Sequence, residues 1–152
     1  MAYDFFGIPV SEINVWLIWI LPFAAALIIP AVGKFSKIST GRVAVAFAAM
    51  SAISAATLLP MALEAHEIHH QIMWIDAIGI KAGVLADPLS IIMANVVGWI
   101  SFLIMCYSTG YMKGDKDIMR FWFWMMFFIG SMQLIVLSDN LLQIFFGWEG
   151  VG

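Results

Sequence analysis

The chain has 152 residues, of which 63% are hydrophobic and 11% are charged, with a formal net charge of −3. Soluble domains are about half apolar and about a quarter charged, so this composition indicates an integral membrane protein in contact with a lipid bilayer. With this net charge the chain offers no basic stripe for a nucleic-acid backbone, and we therefore expect no nucleic-acid partner. The single cysteine, Cys106, excludes an internal disulfide.

Four apolar runs are each long enough to cross a bilayer, which takes about 20 helical residues. They cover residues 14–32, 43–63, 89–111 and 121–137. A fifth run, residues 141–152, covers roughly 18 Å of helix, whereas a bilayer core is about 30 Å thick. The sequence therefore predicts an all-α polytopic transmembrane helix bundle. It forms one membrane domain over residues 1–152, with four full spans and the start of a fifth.

The basic residues are unevenly distributed between the two sides of these spans. Two connections carry six of the seven: Lys34, Lys37, Arg42, Lys113, Lys116 and Arg120. Only Lys81 falls on the opposite side. The positive-inside rule then places the N-terminus outside and both basic connections in the cytoplasm. We expect this orientation in the cell membrane of a prokaryote or in an energy-transducing membrane.

One long connection, residues 64–86, lies on the outer side. Residues 75–85 within it combine glycines at turn spacing with residues that favour strands. This pattern predicts a small hairpin lying over the helix ends.

The fifth apolar run contains one carboxylate, Glu149. Entering from the outside at Asp139, the helix would place Glu149 about 15 Å deep, near the middle of the bilayer. An ionisable group at that depth indicates an ion or proton path. The alternative is an acid that reaches water at a frayed helix end. Gly147 and Gly150 flank it and would allow close helix packing.

Two further acids precede apolar runs. Asp87 and Asp139 are predicted to be helix N-caps, stabilised by the positive end of the helix dipole. The alternative for both is an ion relay at the outer face.

The segment from His66 to His70 fits His-Glu-x-x-His, a spacing that on a helix turns two imidazoles to one face for zinc. This makes a membrane zinc protease one open alternative, and a polar cap at the end of the second span the other. The sequence holds no cysteine cluster, and its histidines are confined to one end of one span. We therefore expect no cofactor in this chain, and no redox centre.

From residue 86 onward, six short motifs follow one another along the chain. They are Asp87-Pro-Leu-Ser90, Tyr107-Ser-Thr-Gly-Tyr-Met112, Arg120-Phe121, Gly130-Ser-Met132, Leu137-Ser-Asp-Asn-Leu-Leu142 and Gly147-Trp-Glu-Gly-Val-Gly152. Their order resembles the N-terminal part of the antiporter-like chain 5, or L-type, subunit of respiratory complex I. It is similar also to the related subunit of deazaflavin-dependent dehydrogenases and to the large subunit of multisubunit sodium/proton antiporters.

The resemblance implies a subunit of a proton-translocating membrane arm. Glu149 takes the position of the family's proton-relay glutamate, other membrane subunits are its partners, and electron transfer is done elsewhere in the complex. In the family the fifth helix continues and a lysine follows as partner of the glutamate. We therefore expect a fragment, or the product of a split or truncated gene, whose fifth helix another chain completes. A sodium/proton antiporter subunit and a non-catalytic membrane scaffold remain alternatives.

Overall fold

The computed structural model describes residues 4–5, 8–76 and 79–152, and most of them are helical. The elements are β1 (Asp4–Phe5), β2 (Ile8–Pro9), α1 (Val10–Gly33), α2 (Lys37–Ala56), α3 (Leu59–Leu63), β3 (Ile68–Ile75), β4 (Ile80–Ala86), α4 (Pro88–Tyr111), α5 (Ile118–Leu137) and α6 (Leu141–Val151). Strand β1 pairs antiparallel with β2, and β3 pairs antiparallel with β4. Two small hairpins thus accompany a helical bundle.

Within the described residues, four stretches are long and apolar enough to cross a membrane. They are Ser11–Gly33, Ser39–Leu63, Pro88–Tyr111 and Ile118–Leu137. Many large apolar side chains point outward from them, among them Leu27, Ile53 and Leu103. An apolar outer surface suits a bundle surrounded by lipid, since helices satisfy their own backbone groups there. The four predicted spans are confirmed, and α6 is the short apolar helix after them.

The second span is broken rather than continuous, which its uninterrupted apolar run did not indicate. Helix α2 ends at Ala56, and α3 follows as a separate five-residue helix with Pro60 in its first turn. In a continuous helix the Pro60 ring would clash with the carbonyl group of Ala56. At its other end α2 begins at Lys37, before the predicted residue 43, because the Ser36 hydroxyl accepts the Ser39 N–H at 3.4 Å.

Small residues let the helices pack closely. Helix α2 buries Ala44, Ala48, Ala52 and Ala55 along one face. It lies between α1 and α4, and α5 packs on α1. Buried amides add hydrogen bonds between helices: Asn95 Nδ2 donates to the Ala55 carbonyl oxygen at 2.9 Å. In a membrane such packing and hydrogen bonding hold helices together, because lipid provides no hydrophobic drive between them.

The hairpin predicted for the outer side is present and is called the outer hairpin below, but its first strand begins at Ile68 rather than at residue 75. Strands β3 and β4 pair from Ile68 and Ala86 to Ile75 and Ile80. Residues 77 and 78, at the predicted turn, lie outside the described residues. Ile68 and Val84 are buried in one cluster with Leu137 at the end of α5. This shared core fixes the hairpin against one end of the bundle.

Candidate functional site

Helix α6 lies very close to α5 through two glycines. A Cβ atom on Gly147 would lie 3.0 Å from the Ser131 carbonyl oxygen and 2.7 Å from Ile135 Cγ1. A Cβ atom on Gly150 would overlap the Ser131 side chain. Only residues without a side chain permit this approach, so the two glycines determine which face of α6 meets the bundle.

Glu149 lies on the opposite face of α6. Residues two apart on a helix differ by about 200°, which turns Glu149 away from Gly147 and from α5. Its side chain is exposed, as are those of Phe145 and Trp148 on the same side of α6. Among the described residues it has no hydrogen-bond or ion-pair partner. Glu149 lies about 14 Å along the helix from its start at Asn140. The acid is therefore part of an otherwise apolar face that the described chain leaves open.

Asp139, at the turn before α6, is a buried carboxylate, with only 2% of its side chain exposed. Its Oδ2 accepts a hydrogen bond from Gln71 Nε2 at 2.6 Å and lies 3.1 Å from His69 Nε2, while Oδ1 accepts from Asn140 Nδ2 at 2.7 Å. Burial by itself would raise the pKa of Asp139. The hydrogen bonds from Gln71, His69 and Asn140, together with the charge of His69, outweigh burial and lower that pKa. The carboxylate is held in its ionised form.

The N-cap interpretation of Asp139 is wrong, because the neighbouring residue caps α6. Asn140 Oδ1 accepts the backbone N–H of Gln143 at 2.9 Å, and Asn140 has an extended backbone. Asp87 does cap α4: its Oδ1 accepts the Ser90 N–H at 2.7 Å, and Ser90 Oγ accepts the Asp87 N–H at 2.8 Å. Hydrogen bonds from the Ser90 side chain and backbone lower the pKa of Asp87.

Further contacts, besides those of Asp139 with Gln71 and His69, attach the outer hairpin to the corner between α5 and α6. The Gly83 N–H donates to Gln143 Oε1 at 3.0 Å, and Asn140 Nδ2 donates to the Lys81 carbonyl oxygen at 3.0 Å. A side chain on Gly83 would collide with the Asp139 carboxylate. The sequence placed Asp139 at the start of the fifth run but did not link it to the hairpin, whose residues are some 60 to 70 positions away.

The zinc interpretation of His66 and His70 depended on a helix, and the structure places no helix there. His66 precedes β3 and its Nδ1 lies 3.6 Å from Glu64, while His70 is on β3. His70 Nδ1 instead accepts the Trp16 Nε1–H at 3.1 Å. Across the described part of the chain, no three histidine, cysteine, aspartate or glutamate side chains group so as to hold a metal ion. The two imidazoles serve separate contacts at the hairpin.

Comparisons with known proteins agree on one family. Residues 73–122 match the model of NADH-ubiquinone oxidoreductase (complex I), chain 5 N-terminus. The chain is 38% identical over 141 residues to NADH-quinone oxidoreductase subunit L of Rickettsia bellii, covering 90% of this chain and 22% of that protein. It is 34% identical over 147 residues to the chloroplastic NAD(P)H-quinone oxidoreductase subunit 5 of Spinacia oleracea, covering 90% and 20%.

A solved structure supports the fold. A chain in the structure of the Mrp complex from Dietzia sp. DQ12-45-1b superimposes with a TM-score of 0.72 at 22% identity, covering 90% of this chain and 14% of that one. This chain and that one therefore share a fold built on helices that are long and apolar enough to cross a membrane. The chain matches the N-terminal portion of the complex I chain 5, or subunit L, family. It spans about a fifth of the length of the curated relatives that it matches.

Proposed function

We propose that the chain is the N-terminal part of a proton-translocating membrane-arm subunit in a complex I-type oxidoreductase. The electron donor would be NADH or a deazaflavin, the acceptor a quinone, and other subunits would carry the electrons. Glu149 would be the proton-relay carboxylate. The observation that supports this assignment most directly is the position of Glu149 on an open, apolar helix face.

A charged carboxylate on such a face is costly. A carboxylate facing lipid tails costs about 2.5–3.5 kcal/mol even on the most lenient scale, so such residues face protein or a water-filled cavity. Phe145 and Trp148, beside Glu149, are 55% and 69% exposed. We infer that further polypeptide covers this face of α6 in the assembled complex. Other membrane subunits are the partners that we propose.

The test is the substitution Glu149→Gln in the assembled complex. We expect quinone reduction to continue while fewer protons are translocated per electron, because glutamine has the same shape but does not release a proton. Glu149→Asp should retain part of the coupling. Glu67→Gln is the matched control, since Glu67 is an exposed acid outside the helices. Proton translocation that stays at the wild-type ratio in Glu149→Gln would rule out the relay role.

A second candidate function is ion exchange without electron transfer, favoured by the fold shared with a chain of the Mrp complex. Ion movement driven by a sodium gradient, in membranes supplied with no electron donor, would support this candidate. Ion movement that strictly requires an electron donor and quinone would support the first proposal. A scaffold without transport function would leave both activities unchanged when Glu149 is replaced.

We further propose that the N-terminus faces the outside and that the basic end of the bundle faces the cytoplasm. Single cysteines at Lys116 and Lys81, in a Cys106→Ser background, test this orientation because both lysines are exposed and belong to opposite ends of the bundle. A membrane-impermeant maleimide applied to intact cells should label the cysteine at Lys81 and not the one at Lys116. The reverse pattern would invert the topology.

A further inference from the structure

A cavity of about 720 Å³ opens at the end of the bundle opposite the outer hairpin. It lies where the start of α2, the end of α4 and the start of α5 meet. Arg42 and Lys113 line it together with Asp115, while Ile118 and Trp122 contribute apolar surface. No catalytic or relay residue proposed above takes part in it, so the cavity requires a separate explanation.

The wall of the cavity contains a buried polar group without a partner. Trp122 is 1% exposed, and its Nε1–H has no hydrogen-bond partner among the described residues. The ring is packed tightly against α2: a Cβ atom on Gly41 would lie 3.0 Å from Trp122 Cζ2. A buried donor left unpaired costs about 1–3 kcal/mol. An acceptor oxygen on a bound molecule would remove this penalty.

The charges around the cavity favour an anion. Arg42 and Lys113 are exposed, and within the described chain neither has an ion-pair partner. The one acid, Asp115, already uses Oδ1 to accept the Asp117 N–H at 2.7 Å, a contact that shapes the loop before α5. Two cations against one engaged carboxylate leave a net positive site at a helix end, where the headgroups of a bilayer lie.

We propose that this cavity binds an anionic glycerophospholipid. Arg42 and Lys113 would bind the phosphate, the Trp122 N–H would donate to an ester or phosphate oxygen, and an acyl chain would lie along Ile118. The volume falls within the range of about 300–1,000 Å³ typical of small-molecule sites, and it is far larger than a free phosphate ion needs. Basic pockets between membrane helices bind anionic lipid headgroups through the same chemistry.

The experiment uses the assembled complex in detergent, stripped of lipid and titrated with a photoactivatable phosphatidylglycerol. Labelling of peptides covering residues 37–42 and 109–122 reports occupancy of this cavity alone. In the double variant Arg42→Gln/Lys113→Gln, half-maximal labelling should need about 30-fold more lipid than in the wild type. The reason is that each cation contributes about 1 kcal/mol, or roughly fivefold in affinity. Trp122→Phe keeps an aromatic ring without the N–H, and should weaken labelling several-fold.

The matched control is Lys116→Gln, which removes a cation from the same loop but outside the cavity wall. It should label like the wild type. Unchanged labelling in the double variant, or equal labelling by phosphatidylcholine, would overturn the proposal. Inorganic phosphate that displaces the probe as effectively as unlabelled phosphatidylglycerol would show a free-anion site instead. Absence of labelling in the wild-type complex would mean that protein fills the cavity, and would also overturn the proposal.

Discussion

Replacing Asp139 by alanine should release the outer hairpin from the corner between α5 and α6. The carboxylate is almost fully buried and accepts short hydrogen bonds from Gln71 and Asn140, with His69 beside it. A hydrogen bond to a charged group contributes about 1.5–3 kcal/mol. Water can reach the donors once the carboxylate is gone, and His69 is half-exposed, so the loss should be smaller than the sum of these bonds. The expected loss is about 2–4 kcal/mol of local stability.

Hydrogen exchange of the assembled complex measures this loss where it occurs. Two kcal/mol corresponds to about 30-fold faster exchange, since each 1.4 kcal/mol is tenfold. We expect that acceleration in peptides covering β3 and β4, with the exchange of α1 and α4 unchanged. Glu67→Ala removes a nearby exposed acid and should leave the hairpin protected. If Asp139→Ala and Glu67→Ala exchange alike, the carboxylate does not hold the hairpin and the reasoning is refuted.

Three further predictions concern the same contacts and the helix packing. Because the pKa of Asp139 is lowered in the native state, its contribution is complete above the ordinary aspartate pKa of about 3.9. This stabilisation is lost as the pH falls through the lowered native pKa of Asp139. Hydrogen exchange of the outer hairpin, corrected for the intrinsic pH dependence of exchange, should therefore accelerate in that pH range. The Asp139→Asn variant should show no such acceleration. Gly147→Ala should lower the free energy of unfolding by about 1–3 kcal/mol, because the added methyl group overpacks the contact with α5. Gly110→Ala, whose methyl group would meet open space, should not lower it. Equal shifts in melting temperature for the two variants would contradict this. Asn95→Ala should cost about 0.6–1.7 kcal/mol, the range for hydrogen bonds between membrane helices, and a melting temperature at the wild-type value would contradict this.

Some features were predictable because they depend on short stretches of sequence. The four spans follow from uninterrupted apolar length, and the hairpin from turn and strand residues between two of them. Asp87 was predicted as a cap because it directly precedes an apolar run, and Ser90, which completes its capping box, is only three residues away. Gly147 and Gly150 indicated close helix packing, which the contact of α6 with Ser131 confirms.

Other features were missed because their partners are distant in the chain. Asp139 looked like a cap, yet its carboxylate contacts Gln71 and His69, whose positions differ from it by 68 and 70 residues. The His66–His70 spacing has a chemical meaning only on a helix. Pairing with β4 makes this segment a strand, which separates the two imidazoles. No local pattern reveals such pairing.

For Glu149, the sequence and the tertiary structure provide different information. The sequence by itself determined that a carboxylate lies inside an apolar run, and the order of motifs related it to the chain 5 family. It did not determine the direction of that side chain, because α6 is apolar on nearly every face and carries little amphipathic pattern. Only the tertiary structure decided this: the contact of Gly147 and Gly150 with α5 turns Glu149 outward. The same holds for the cavity beside Trp122, which exists only because three helix ends meet there.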